Sequence, residues 1–385
     1  MHQVFVCGGN VITSLGFSTE EHIDKIKKEI SGIRLIQDST LYPENFYASL
    51  VDNQRLENEF ASLSNPGEFT RFEKLMILTA QKALAQNQLI DPASEKTVFV
   101  ISSTKGNINL LEKNHKEAFD PTRIYLWKSA EIIARYFGNK NKPLLISNAC
   151  ISGVLAITAA SQLLRSGRYE NAVVIGGDIA SEFVISGFLS FKSLCNGICK
   201  PFDKERNGLN LGEGAGALIL STNPGHQHEA PRIKILGRAC NNDANHISGP
   251  SRTGEGLFLA VTRAMKNSET SPAQIDFISA HGTATPYNDE MESKAFSSAG
   301  LSKVPLNSLK AYFGHTLGAA GVIESWISIY GLTHDIIFKT LGFNELGVPE
   351  AITVVNKLTP KVQKHILKTA SGFGGCNAAV VFSKD

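Results

Sequence analysis

The feature that most restricts the fold of this chain is an internal echo. In the first half, an apolar β-branched run at residues 97–102 ends in Ser102-Ser103-Thr104. A strand-turn-helix unit around residues 143–164 follows, and then a second apolar run, Ala172 to Ile175, ends in Gly176-Gly177-Asp178. In the second half, Asp276-Phe277-Ile278-Ser279-Ala280 ends in His281-Gly282-Thr283. A strand-loop-helix unit then runs from Val304 through Lys310 and His315 to a small-residue helix near Gly318. Ile366-Leu367-Lys368, a glycine-rich turn at 372–375 and Ala378 to Phe382 close it. Strands alternating with helices, twice over in one order, predict α/β layers built by duplication. The polar stretch from His226 to Pro231 is the natural joint, with His226 and His228 solvated, so the halves are residues 1–225 and 226–385. The 42% hydrophobic content supplies the core that such a frame needs.

The first chemical focus is Cys150, in Ser147-Asn148-Ala149-Cys150-Ile151-Ser152-Gly153. Leu144 to Ile146 reads as a buried strand and Ile151 to Leu164 as a buried helix. The cysteine therefore falls on the first turn, where the helix dipole and free N–H groups favour a thiolate nucleophile. An inert core cysteine is the competing reading, because free cysteine is often buried.

The second half changes that balance. His281 ends a strand beside Gly282, and His315 follows Lys310-Ala311-Tyr312-Phe313-Gly314, before Gly318-Ala319-Ala320-Gly321. Ser371-Gly372-Phe373-Gly374-Gly375-Cys376-Asn377 is a third glycine-flanked turn. Loops at strand ends of α/β folds are where sites assemble. By contrast, Leu211-Gly212-Glu213-Gly214-Ala215-Gly216 is no dinucleotide loop, since a strand rather than a helix follows it. Its glycines instead predict close backbone packing.

Elsewhere the expectations are plainer. Val4 to Cys7 reads as a strand and Gly8-Gly9 as a turn; Thr19 to Ile30 reads as a helix capped by Thr19. Residues 31–69 lack pattern and read as loop; Arg71 to Gln86 and Lys128 to Phe137 read as helices. The near balance of 38 basic against 36 acidic residues gives no overall pull toward nucleic acid or an anionic membrane. Six scattered cysteines suit a reducing cytoplasm, and Cys195 with Cys199 lacks the second pair of a zinc site, so no metal is expected. The start lacks a signal peptide and no apolar run has membrane-span length.

Taken together, these stretches resemble the elongating β-ketoacyl-acyl-carrier-protein synthases of the thiolase superfamily. The likeness runs nearly end to end: the first strand and its glycines, the Ala149-Cys150 turn, Pro201-Phe202-Asp203-Lys204-Glu205-Arg206 with Gly212 to Gly216, His281-Gly282-Thr283, Lys310 with Gly314-His315, and Phe373-Gly374-Gly375. The resemblance implies a five-layer α/β/α/β/α fold and decarboxylative Claisen condensation. It implies that Cys150 carries the acyl group and that the amides of Cys150 and Phe373 form an oxyanion hole. His281 and His315 would stabilise an enolate, His281 also standing where a water or carbonate step would occur. Lys310 would orient His315, with Glu324 as its partner. Thr283 and Thr285 would bind the pantetheine arm, Phe188 would line the acyl tunnel and Phe373 would gate it. Lys192 would meet an acidic acyl carrier protein. No cofactor is implied beyond the carrier's phosphopantetheine. A dimer is implied, pairing through the edge near Ala172 to Gly177, with a second copy or a homologous chain-length factor.

The pattern is also departed from. Ala311-Tyr312-Phe313 follows Lys310 where serine is usual, Ser371 replaces a frequent aromatic residue, and the segment 105–140 is short. These departures suggest a specialised tunnel and a resemblance to aryl polyene and flexirubin-like pathway enzymes. A biosynthetic thiolase is a weaker match, because Cys376 follows its glycines instead of preceding them. An initiating synthase would pair cysteine with histidine and asparagine, and a silent chain-length factor would lack Cys150.

Overall fold

The computed structural model describes residues 2–86, 90–112, 119–223, 225 and 231–385. The expected joint at His226 to Pro231 lies, apart from Pro231, outside the described residues, as does part of the short 105–140 segment.

The first half contains β1 (Phe5–Thr13), α1 (Thr19–Lys27), α2 (Asn53–Ala61), α3 (Arg71–Leu84) and β2 (Thr97–Ser102). It continues with α4 (Leu126–Tyr136), β3 (Leu144–Ile146), α5 (Ser152–Arg165), β4 (Asn171–Asp178), α6 (Glu182–Ser190) and β5 (Gly214–Ser221). The second half contains β6 (Ile233–Asn242), α7 (Glu255–Asn267), β7 (Phe277–Ser279), α8 (Pro286–Ser298) and β8 (Pro305–Asn307). After these come α9 (Lys310–Phe313), α10 (Ala320–Thr333), β9 (Thr353–Val354), β10 (His365–Gly372) and β11 (Cys376–Lys384).

The strands run β9-β8-β7-β10-β11-β6-β1-β5-β4-β2-β3. The order β1-β5-β4-β2-β3 is repeated by β6-β11-β10-β7-β8, and the halves meet where Phe5 pairs with Lys234 and Val6 with Ile233. In each half the central strand, β2 or β7, is parallel to both neighbours, and the next ladder is antiparallel. The predicted echo is thus a structural duplication. Helix α3 covers one outer face, α5 and α10 lie between the two sets of strands, and α7 covers the other outer face, giving five layers. One apolar cluster fills each outer helix–strand seam, and a third spans the central helices and the strands on both sides of them.

Several expectations are corrected. Gly8 and Gly9 do not turn the chain; they continue β1 through a bulge between Val6 and Gly8. A Cβ on Gly9 would lie 2.6 Å from the Trp326 ring, so glycine serves close packing there. The cap of α1 is Ser18, whose side chain accepts from the Glu21 amide, and the helix stops at Lys27. The stretch 31–69 holds α2 and two short strands, Arg34–Ile36 and Phe46–Ser49. The strand Leu144–Ile146 is half-buried at the sheet's edge. The largest correction concerns pairing. Ala172 to Gly177 is no edge, because β4 is bonded on one side to β2 and on the other to β5. On that end of the sheet the open edge is β3.

The glycines at 212–216 behave as expected. A Cβ on Gly212 would lie 2.1 Å from the Phe313 carbonyl, and one on Gly216 2.8 Å from the Ile323 amide. No helix among the described residues is long and apolar enough to cross a membrane.

Candidate active site

Cys150 sits at the β3–α5 turn with its backbone wound tightly. Ala149 has φ 44°, a left-handed conformation costly for a residue with a Cβ. Ser152 holds the turn, donating to the Ala149 carbonyl at 2.6 Å and accepting from the Asn148 amide at 2.7 Å. The strain aims the sulfur away from the helix and into a cavity of about 330 Å³. The Phe373 amide is directed at this sulfur. A Cβ on Gly372 would lie 3.0 Å from the Cys150 amide, so the two amides lie close together.

The surroundings of the sulfur do not support the thiolate expectation. Burial pushes the Cys150 thiol up, to about 12, and nearby Cys376 adds to the rise, while Lys310 opposes it. Burial of this kind favours the neutral thiol over the thiolate.

The backbone crossing of α5 and α10 brings the halves together. A Cβ on Gly153 would lie 2.8 Å from the Val322 amide, and one on Gly321 2.5 Å from the Val154 amide. Only glycine permits that approach, and it places the start of α5 beside the loop preceding α10. Cys150 Sγ and a ring nitrogen of each of His281 and His315 consequently lie within 4.8 Å of one another. The imidazoles meet edge-on, with centroids 5.1 Å apart.

The hydrogen bonds around the imidazoles set their tautomers. His315 Nδ1 accepts from the Leu317 amide at 3.3 Å, which leaves the proton on Nε2, buried and without a protein partner. His281 Nδ1 faces the Lys310 ammonium at 3.4 Å; a lysine only donates, so this ring also carries its proton on Nε2. Burial holds both histidines well below the ordinary value of 6.5, with Lys310, Lys368 and, for His281, His315 adding to the effect. The site thus holds two neutral imidazoles with N–H groups available to the cavity.

Behind them lies a buried ionic cluster. Lys310 Nζ is 2.6 Å from Glu324 Oε1 and 2.6 Å from the His281 carbonyl. The expected Lys310–Glu324 pair is present, but Lys310 touches His281 and not His315, because α9 runs beneath the His281 strand end. Lys368, read from sequence only as part of a strand, is 2.6 Å from Glu324 Oε2. Its contact is ionic in geometry, since its donors point at the Ser279 and Ala280 carbonyls, 3.2 Å away each. Two further carboxylates were also missed. Glu292 accepts from the His281 and Gly282 amides at 2.8 and 2.6 Å, and burial raises it to about 7. Asp178 accepts from the Ser103 hydroxyl and from the Thr104, Lys105 and Gly318 amides. A polar residue at a strand end after paired glycines was the available signal. The Cys150, His281 and His315 set could ligate a metal in principle, but the two lysine ammoniums beside it disfavour a cation.

The remaining expected residues gather at the mouth. Thr283 and Thr285 line the cavity with their hydroxyls 2.9 Å apart. Phe188 stacks on Phe373 at 5.7 Å, and exposed Phe191 meets Phe373 edge-on at 5.3 Å. Lys192 follows on the exposed rim with φ 50°. Ser371 lines the cavity and donates to Asn377. Ala311, Tyr312 and Phe313 do not line it; they are buried in neighbouring apolar clusters, so this departure leaves the cavity unchanged. A larger open groove of about 1580 Å³, lined in part by Arg71 and Glu213, contains none of these reactive residues.

Comparison with known proteins fits this geometry. Residues 1–225 match the model of the β-ketoacyl synthase N-terminal domain, and residues 233–344 that of the C-terminal domain. The chain is 27% identical over 413 residues to 3-oxoacyl-[acyl-carrier-protein] synthase 2 of Vibrio harveyi, covering 99% of this chain and 98% of that protein. Among solved structures, the ishigamide ketosynthase/chain length factor superposes with a TM-score of 0.87 at 25% identity, covering 100% of this chain and 99% of that one. A ketosynthase in complex with its chain length factor from Xenorhabdus doucetiae gives 0.86 at 24% identity, over 100% and 98% of the two chains.

Proposed function

The chain belongs to the β-ketoacyl synthase family and is an acyl-transferring condensing enzyme, and we propose that Cys150, His281 and His315 divide its decarboxylative Claisen condensation between the two halves. Cys150 Sγ attacks the acyl thioester carbonyl, and the Cys150 and Phe373 amides receive the oxyanion. The bond to the pantetheine sulfur breaks, and that sulfur leaves with the thiol proton. A malonyl thioester then places its carbonyl oxygen against the two imidazole Nε2–H groups. Its C–carboxylate bond breaks, releasing carbon dioxide and leaving an enolate. The enolate carbon attacks the acyl carbon, Cys150 departs, and one proton from solvent restores its thiol.

The observation that carries this reading is the contact at each Nδ1 atom. Both Nδ1 atoms are engaged behind the site, so both Nε2 atoms present donors where an enolate oxygen would form. Lys310 and Glu324 stand as supports of His281, Thr283 and Thr285 as contacts of the pantetheine arm, and Phe188 and Phe373 as the wall and gate of the acyl site. Lys192 on the rim stands as a contact of an acidic acyl carrier protein.

We also propose that the chain works in a pair. The support is the open strand β3, with exposed Leu111, Tyr125, Trp127 and Phe183 on segments that pack around α4 and α6 beside it. The ishigamide protein, a ketosynthase/chain length factor, supports a homologous chain as the partner. Incubating the chain, alone and co-expressed with a cysteine-less homologue, with acyl and malonyl carrier proteins tests both points. A 3-oxoacyl product two carbons longer, with release of carbon dioxide, is expected. Failure of every carrier pair in both preparations would overturn the condensing role, and equal product lengths and rates would remove the need for a homologous partner.

A further inference from the structure

Lys368 is the group that the condensation scheme above does not use. It lies on β10, where Ile366, Lys368 and Ala370 alternate onto one buried face, and it is fully buried. A lysine is rarely enclosed without a role or a partner of its own. Here the partner is shared: Glu324 meets Lys310 with one oxygen and Lys368 with the other, at 2.6 Å each. Two cations around one carboxylate leave an excess positive charge directly behind both imidazoles. Lys368 also fastens the Ser279 and Ala280 carbonyls, the two residues leading into His281.

We propose that Lys368 is a positioning residue for decarboxylation, placing a second positive charge behind His281 and His315 and fixing the strand end that aims His281. The inference rests on the condensing reading. It goes beyond it by assigning a second buried cation whose effect is confined to the enolate-forming step. The charged and titratable groups facing the imidazoles are Lys310 on α9, Glu324 on α10, Glu292 on α8, Asp178 on β4 and Cys150 before α5. Of the carboxylates, Glu324 is already matched by Lys310. Glu292 and Asp178 are occupied by backbone amides and are both held up by burial. Glu292 also acts on Lys368, but with its carboxyl raised to about 7 it is only partly ionised near neutral pH and offsets only part of that charge.

Burial lowers Lys368 from the ordinary lysine value, so its charge is held against a solvation cost. Removing it leaves the Lys310–Glu324 pair whole, and a neutral replacement should fold with equal or higher stability. A residue kept only for structure would behave in the opposite way.

The test compares K368M, which removes charge and donors, with K368Q, which keeps a donor for the two carbonyls. Malonyl-carrier decarboxylation is measured against pH, alongside Cys150 acylation and thermal unfolding. In K368M the decarboxylation kcat should fall at least about tenfold, the scale of a misaimed catalytic group, while acylation stays within about twofold. In both variants the acid limb of decarboxylation should move up by about one pH unit, the scale of one nearby buried charge, because imidazoles relieved of a cation protonate at higher pH. K368Q should recover part of kcat without recovering the profile. An unmoved acid limb in a folded variant, an equal loss of acylation, or failure of both variants to fold would overturn the inference. No decarboxylation by the unaltered chain would instead refute the condensing reading.

Discussion

In the first half, the loops after β2 and β4 are tied by one anion. Asp178 gathers the Ser103 hydroxyl and three amides, including Gly318 from the other half. In the second half, the loop after β7 is tied by cations: Lys310 from α9 and Lys368 from within β10 donate to the His281, Ser279 and Ala280 carbonyls and share Glu324. One frame thus carries an anion surrounded by neutral donors on one side and an excess of positive charge on the other. On the proposed scheme the first cluster stands beside the nucleophile, whose developing oxyanion needs only backbone dipoles, and the second beside two donors for an enolate. The difference teaches that one duplicated frame can carry opposite charges on equivalent strands, Asp178 on β4 and Lys368 on β10.

The largest expected effect breaks the comparison on the first side. Cys150→Ala should abolish acylation and condensation, while malonyl decarboxylation continues at a measurable rate because the cationic side is intact. Mass spectrometry of the protein and assay of carbon dioxide check this, and condensation by the variant would remove Cys150 from the scheme.

The mirror test comes next. His281→Ala and His315→Ala should lower malonyl decarboxylation by about 100-fold or more, the scale of a lost oxyanion donor, yet still permit Cys150 to be acylated. Because both histidines are held well below 6.5, decarboxylation by the unaltered chain should not fall as pH drops through 6.5. The same shift has a stability sign. The unfolded chain takes up these protons below about 6.5 and the folded chain does not, so this contribution is full above that pH and is lost as pH falls. Unfolding temperatures across pH 5–8 should therefore vary less in the double variant. Unchanged decarboxylation in both single variants would refute the division of labour.

Asp178→Ala removes the anion from the first cluster. It leaves the Thr104 and Gly318 amides without their acceptor, so stability should fall by about 2–4 kcal/mol. Condensation should fall less than in the histidine variants. Denaturant unfolding compared with turnover checks the order, and an undisturbed stability would show that the anionic tie is dispensable.

The smallest effect lies outside both clusters. Lys192→Glu, on the first-half rim, should raise the apparent KM for carrier-bound substrate by a few-fold, most at low salt where charges are least screened. A free pantetheine thioester should be unaffected. Equal losses on both substrates would mark a folding defect.

Much of this site was legible because its signals are local. His281, His315 and Phe373 each stand beside a glycine, Cys150 falls where an apolar strand run passes into a helical one, and the strand 97–102 was read to its last residue. The Lys310–Glu324 pair was expected because a buried lysine needs an anion. What was missed depends on the meeting of distant segments. That Lys310 serves His281 follows from where α9 passes, which no spacing encodes. The state of the Cys150 thiol depends on how deeply it is enclosed. The open edge depends on strand order, and residues 171–178 carry no mark of being flanked on both sides. Lys368 did carry a signal, a single charge in the apolar run Ile366 to Ala370.

The crossing of α5 and α10 at Gly153 and Gly321 has an evolutionary consequence. The spacing between Cys150 and the imidazoles is set where one main chain rests on another, the Val322 and Val154 amides facing Gly153 and Gly321 with the Val154 side chain packed beside them. A lineage of such proteins cannot adjust that distance by small substitutions; any added atom forces the helices apart. Substitutions that reshape the cavity are therefore tolerated more readily at the aromatic mouth of Phe188, Phe191 and Phe373 than at this crossing.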